Sequence, residues 1–252
     1  GTATVEAGTG QDTLLVQGSD ALSVDFSQAD QQVVSGSPNV EYSGFENLDA
    51  AQASGVMTVI AGAAGGSIRS GSGNDEVTLG AGADSVDTGT GNDVVSGALS
   101  SGDSIALGDG DDRATFSDAN ASVDGGAGLD TLLVTGSAAV RVDFNEAGNN
   151  APDASTQFSN FENLDAATAS GALDVTLAAA STSIRTGSGA DTITFRDVVA
   201  SVNAGTGSDI LRLDPAFLSA PAASTAMTIN LGAPANTHQI TAGAPRLMVM
   251  AV

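Results

Sequence analysis

The 252-residue chain has no cysteine, no lysine and no tryptophan, and a single tyrosine. Without cysteine there can be no disulfide, no thiolate metal ligand and no cysteine nucleophile. With aromatics at 4%, any core must be thin and built from small aliphatic side chains. The 41% hydrophobic content is still enough to bury one, and sets the chain apart from disordered sequences. Only seven basic residues, all arginine, face 30 acidic ones, so there is no basic patch for nucleic acid to meet. No apolar run approaches the roughly 18 residues of a membrane span. No N-terminal signal peptide is visible. The length suits one or two domains. The chain opens already inside a repeating pattern, which reads as a piece of a longer protein.

The net charge of −23 resists compaction by self-repulsion unless cations neutralise it. A merely solvated acidic surface is the plainer reading. Against it, many of the aspartates recur in one frame, G-x-G-x-D-x-U, where U is aliphatic. Gly71-Ser72-Gly73-Asn74-Asp75-Glu76-Val77 is followed by Gly80-Ala81-Gly82-Ala83-Asp84-Ser85-Val86 and by Gly89-Thr90-Gly91-Asn92-Asp93-Val94-Val95. The frame returns at Gly108, Gly110 and Asp112, at Gly126, Gly128 and Asp130, at Gly187, Gly189 and Asp191, and at Gly205, Gly207 and Asp209. It is already present at Gly8, Gly10 and Asp12, while Asp103 keeps the carboxylate without the glycine pair.

The U column runs Val59, Ile68, Val77, Val86, Val95, Ile105, Ala114, Val123, Leu132, nine apart except for one extra residue before Ile105. A second run is Val175, Ile184, Ile193, Val202, Leu211. A helix repeats at 3.6 residues and would not tolerate paired glycines on this beat. Two nines make a coil of two short strands and two turns, stacked on its neighbours at about 4.8 Å. The aspartates then fall on two edges. Asp75, Asp93, Asp112 and Asp130 share one; Asp84 and Asp103 lie on the other, which ends at Ala121. Asp191 and Asp209 share an edge, with Ala200 facing the other way. The extra residue near Leu99–Ser101 reads as a bulge in a turn.

A longer repeat is superimposed. Phe45-Glu46-Asn47-Leu48-Asp49 returns 116 positions later as Phe161-Glu162-Asn163-Leu164-Asp165, and Ser67-Ile68-Arg69 as Ser183-Ile184-Arg185. Duplication of this kind is expected of quasi-one-dimensional proteins. The predicted organisation is the end of a calcium coil over 1–15, a metal-free β segment over 16–58, a calcium-binding stack over 59–134, a duplicate metal-free segment over 135–174, a second calcium-binding coil over 175–214, and a cap or secretion-signal region over 215–252. The metal-free segments read as β turns of the same stack, with loops near 36–39 and 148–153. Small inserted β domains, or a short helix near Ala50–Ser54, are the alternatives.

Calcium takes six to eight hard oxygens in flexible geometry. One aspartate per turn cannot fill that shell, but stacked turns add carboxylates and backbone carbonyls. Glycine lets the backbone adopt positive φ and approach an ion. Magnesium prefers a stricter octahedron, and zinc wants histidine or cysteine. The one histidine, His238, lies outside the frame and reads as a surface residue. Asn74, Asn92 and Asp111, just before the aspartates, read as turn-formers. The aspartate pairs 75/93, 93/112, 112/130, 84/103 and 191/209 are the expected sites for several calcium ions.

This series resembles the repeats-in-toxin, or hemolysin-type calcium-binding, nonapeptide, whose fuller form is G-G-x-G-x-D-x-U-x. Gly125-Gly126-Ala127-Gly128-Leu129-Asp130-Thr131-Leu132 keeps the paired glycines. The resemblance covers 70–132 well, 187–211 in part, and 8–14 as one motif. It implies a right-handed parallel β-solenoid, or β-roll, that binds calcium in its turns. It also implies type I secretion, with the chain folding outside the bacterial cell as carboxylates that repel one another take up metal.

The F-E-N-L-D segments interrupt the calcium coils, which points away from a toxin's single block and toward a surface structure. The expected function is a calcium-stabilised structural domain of a secreted bacterial cell-surface protein. A surface-layer lattice subunit fits best, self-associating into a lattice or fibre, with cell-surface polysaccharide reached through an upstream region. The alternatives are an adhesin stalk or ligand-binding module, or the secretion domain of an exported enzyme or toxin. Ice binding is the weakest of these, resting on Thr88-Gly89-Thr90-Gly91-Asn92-Asp93. There is no G-x-S-x-G elbow and no H-E-x-x-H, so no enzyme is expected within this chain.

Overall fold

In the computed structural model the described residues are 3–28, 32–35, 40–97, 99–117, 121–144, 157–177, 183–196, 201–213, 228–230, 232 and 239–241. They form short β-strands joined by turns, and among them there is no helix. The chain divides into two units, Gly1–Asp130 and Thr131–Val252.

Unit 1 carries β1 (Ala3–Glu6), β2 (Thr13–Gly18), β3 (Leu22–Asp25), β4 (Val33–Ser35), β5 (Val40–Ser43), β6 (Asn47–Ala53) and β7 (Met57–Ile60). It continues with β8 (Ser67–Arg69), β9 (Glu76–Leu79), β10 (Ser85–Asp87), β11 (Val94–Gly97), β12 (Ser104–Ala106), β13 (Arg113–Phe116) and β14 (Ser122–Asp124). From β6 onward successive strands alternate between two sheets, β2-β6-β8-β10-β12-β14 and β4-β3-β7-β9-β11-β13. The pairings are parallel, apart from the antiparallel β3–β4. β1 and β5 form a separate parallel pair.

The strands are short because glycine turns punctuate them, and each alternates outward and inward residues. In β10, Val86 is buried between exposed Ser85 and Asp87. The in-register partners Ile68, Val86, Ile105 and Val123 line one inner wall. Val59, Val77, Val95 and Ala114 line the other. Each buried valine or isoleucine contributes about 1.5–3 kcal/mol, and several strands bury a second apolar residue, as β7 does with Met57, β9 with Leu79 and β13 with Phe116. The expected U column is therefore the core of the unit.

Unit 2 repeats the scheme with β15 (Thr131–Val134), β16 (Val140–Asp143), β17 (Gln157–Ser159), β18 (Asn163–Asp165), β19 (Leu173–Leu177) and β20 (Ser183–Arg185). β21 (Thr192–Phe195), β22 (Ser201–Asn203), β23 (Ile210–Leu213), β24 (Thr228–Asn230) and β25 (Gln239–Thr241) complete it. Its parallel sheets run β15-β18-β20-β22-β24 and β16-β19-β21-β23-β25.

The duplication holds at the level of pairing. Leu14 pairs Leu48, which pairs Ile68; Leu132 pairs Leu164, which pairs Ile184. Val24, Val59 and Val77 are matched by Val142, Val175 and Ile193. Residues 50–53 belong to strand β6, so the helix considered for Ala50–Ser54 is not formed. The F-E-N-L-D segments add strands to these sheets rather than standing apart from them. In the tail, β24 and β25 extend the two sheets of unit 2. The loops 36–39 and 148–153, Ala200 and His238 lie outside the described residues. Among the described residues no helix is long and apolar enough to cross a membrane.

Candidate metal centre

Each glycine–aspartate turn joins an inward-facing residue to an inward-facing aspartate. Around Asp93 the chain turns at Gly89 (φ 91°) and Gly91 (φ 131°), a backbone region that favours glycine. A Cβ on Gly91 would fall 1.9 Å from the Gly73 carbonyl oxygen of the neighbouring coil, so the turns stack backbone against backbone.

The aspartates are brought together in the pairs expected from the sequence, and one bond recurs in each. The N–H of Asp75 donates to Asp93 Oδ1 at 2.7 Å, that of Asp93 to Asp112 Oδ1 at 2.7 Å, and that of Asp112 to Asp130 Oδ1 at 2.8 Å. Asp84 N–H reaches Asp103 Oδ1 at 2.8 Å, and Asp191 N–H reaches Asp209 Oδ1 at 3.1 Å. The ladders start alike in the two units, with Met57 N–H on Asp75 Oδ1 and Leu173 N–H on Asp191 Oδ1. Each carboxylate thus ties its coil to the one before it.

A second ladder runs the opposite way on the exposed side. The N–H of Asn92 donates to Asn74 Oδ1, that of Asp111 to Asn92 Oδ1, and that of Leu129 to Asp111 Oδ1, at 2.9–3.0 Å. The residues read as turn-formers also bridge coils.

The other carboxylate oxygen is less well served. Oδ2 of Asp75, Asp93, Asp112 and Asp191 is buried without a hydrogen-bond partner, in residues almost wholly removed from solvent. Burial pushes the Asp93 carboxyl up to about 6, and the neighbouring charges of Asp75 and Asp112 add to the rise. Asp75, Asp84, Asp112 and Asp191 are raised as well, again chiefly by burial. The hydroxyls of Ser70, Thr88 and Thr186 pull Asp75, Asp93 and Asp191 the other way, less strongly than burial raises them. A buried carboxylate oxygen of this kind calls for a donor, a proton or a cation.

The donor chemistry suits a hard cation. The aspartates offer carboxylate oxygen, and the glycine turns stack closely on backbone carbonyls: the Cβ positions of Gly110 and Gly207 lie 1.7 and 1.8 Å from the oxygens of Gly91 and Gly189. Among the described residues no three histidine, cysteine, aspartate or glutamate side chains gather into one metal-ligating group.

Two residues escaped the sequence reading. Glu46 occupies the aspartate place in its coil, because Leu14 pairs Leu48 and Thr13 pairs Asn47. Its Oε2 accepts the Asp12 N–H at 2.9 Å, so E-N-L stands in for D-x-U. Asp12 therefore lies on the same edge as Asp84, through Glu46 and Gly66. Gln32 is buried and clamps Phe45, donating from Nε2 to its carbonyl at 2.8 Å and accepting its N–H at 2.9 Å. The signal for Glu46 was available, since glutamate two residues before the core leucine fits the frame. Thr88 is buried, its hydroxyl donating to Leu107 O at 2.6 Å, so this threonine is not on a surface facing an external ligand.

No family model matches the chain, and no curated protein matches it.

Proposed function

We propose that this chain is a calcium-stabilised, right-handed parallel β-solenoid from a secreted bacterial cell-surface protein, best read as a surface-layer lattice subunit that folds and assembles on extracellular calcium. The observation that carries the calcium part is the row of buried, unpartnered Oδ2 atoms at Asp75, Asp93 and Asp112, with its counterpart at Asp191. Calcium would supply the positive charge that these oxygens lack, with Asp130 and Asp209 closing the two rows and glycine-turn carbonyls completing the shell. The chain's own contribution is positional. Each Oδ1 is anchored by a neighbouring coil's N–H, which holds the carboxylate in place before an ion arrives. Binding free energy is then folding free energy, because the carboxylates converge only when the coils stack.

The surface-layer part rests on the acidic net charge and on a duplicated repeat suited to building extended structures. The chain is proposed to act without catalysis. The test is negative-stain imaging of the protein with millimolar calcium and with excess chelator. Ordered sheets that dissolve on chelation support the lattice reading. Isolated rods in calcium would replace it with an adhesin stalk.

A further inference from the structure

Asp84 and Asp93 carry the same G-x-G-x-D-x-U motif, yet their carboxylates meet different surroundings. Asp84 Oδ1 accepts the N–H of Gly66 at 3.0 Å, and its Oδ2 accepts the N–H of Gly80, in its own turn, at 3.2 Å. Asp103 is satisfied in the same way, by Asp84 N–H on Oδ1 at 2.8 Å and by Ser100 N–H of its own turn on Oδ2 at 2.5 Å. At Asp75, Asp93, Asp112 and Asp191, Oδ1 is bonded and Oδ2 is not.

The backbone differs too. In the Asp75, Asp93 and Asp112 turns, the glycine two residues before the aspartate presses on a carbonyl oxygen. Cβ positions at Gly73, Gly91 and Gly110 lie 2.7, 1.9 and 1.7 Å from the oxygens of Gly55, Gly73 and Gly91. At the corresponding Gly82 the nearest atom is instead the Gly65 nitrogen, at 2.0 Å. At Asp93, then, the stacked turns meet through a carbonyl oxygen, and the aspartate's Oδ2 has no hydrogen bond. At Asp84 the glycine meets a backbone nitrogen of the neighbouring turn, and both carboxylate oxygens already hold N–H donors.

We infer that the chain has two functional classes of aspartate under one motif: Asp75, Asp93, Asp112 and Asp191 ligate calcium, whereas Asp84 and Asp103 close turns and hold no ion. This rests on the calcium reading above and narrows it, making the calcium load of residues 70–112 one-sided. Asp84 and Asp103 act as internal counterparts of the metal, using main-chain N–H groups in its place.

The test is equilibrium dialysis of the full chain against calcium, with ions counted per protein and folding followed by circular dichroism. The double variant Asp84→Asn/Asp103→Asn is expected to bind as many ions as the parent. Asp75→Asn/Asp93→Asn is expected to bind fewer, and its remaining half-saturation to shift upward by about tenfold or more. Loss of ions from a folded Asp84→Asn/Asp103→Asn protein overturns the inference and leaves the calcium reading standing. A parent that binds no calcium overturns both. If the first variant does not fold, the anomalous-scattering map of parent crystals grown in calcium decides. Ions along Asp75–Asp112 with none at Asp84 or Asp103 support the inference, and an ion on either of those two overturns it.

Discussion

The glycine–aspartate coils around Asp93 and the coil around Glu46 keep the same register by opposite means. At Asp93 the turn is made of glycine, the coils touch through bare backbone, and a buried carboxylate oxygen has no partner. At Glu46 the neighbouring side chains do the bonding. Gln32 clamps Phe45, Asn47 donates from Nδ2 to Asp12 O at 3.2 Å and accepts the Ser67 N–H at 2.8 Å, and Glu46 accepts from Asp12. The Glu46 coil is held by side-chain hydrogen bonds, although Oδ2 of the adjoining Asp12 is also buried without one; the Asp93 coils are held by backbone contact and carry a row of such oxygens. A single stack can thus combine coils held by side-chain hydrogen bonds with the coils proposed to need calcium.

The largest effect expected is from Gly91→Ala. The added Cβ meets the Gly73 carbonyl oxygen at 1.9 Å and the backbone sits at φ 131°, so neither side can yield cheaply. A loss of about 3 kcal/mol or more is expected in denaturant unfolding in saturating calcium. An equal melting point for parent and variant would mean that the coils are not in backbone contact there.

Asp93→Ala comes next. It removes the acceptor of the buried Asp75 N–H, costing about 1–3 kcal/mol in metal-free protein, and removes a proposed ligand. Its loss should therefore be larger in calcium than in chelator. Gln32→Ala sharpens the contrast from the other side. It leaves both Phe45 main-chain groups without this partner, for a similar cost of about 1–3 kcal/mol, and that cost should be the same with and without calcium.

How much of this was legible in the sequence depended on spacing. The core column and the aspartate pairs were readable because nine-residue spacing survives from Val59 to Leu132 with one slip. Glu46 was hidden because the residues of β3–β5 intervene between it and Asp12, so its place in the column appears only when Leu14 pairs Leu48. Gln32 carries no pattern at all; its clamp on Phe45 is a tertiary contact across 13 residues. Asp84 was read correctly as lying on a different edge from Asp93. The bonding of its second oxygen was not readable, since that depends on whether the Gly80 N–H turns inward, and both turns spell the same motif.

A pH series probes the same contrast with a smaller effect. In metal-free protein the folded Asp93 carboxyl titrates at about 6, against 3.8 for the ordinary group. The folded state therefore holds its proton more tightly, and stability is highest below about 4 and lost as pH rises through about 6. Asp75, Asp84, Asp112 and Asp191 are raised in the same direction. With calcium bound the slope should reverse, because protons then compete with the ion. Asp93→Asn should flatten the metal-free slope, as followed by melting temperature at pH 4–7. Smallest of all, Asn92→Ala removes one exposed rung, the acceptor of the Asp111 N–H, and should cost no more than about 1 kcal/mol.

The central claim is that the buried Oδ2 atoms await a cation. Calorimetric melting at neutral pH, once in millimolar calcium and once in excess chelator, tests it most directly. The account predicts a transition many degrees higher in calcium, or no cooperative transition without it. Superimposable melting curves in calcium and chelator would contradict it.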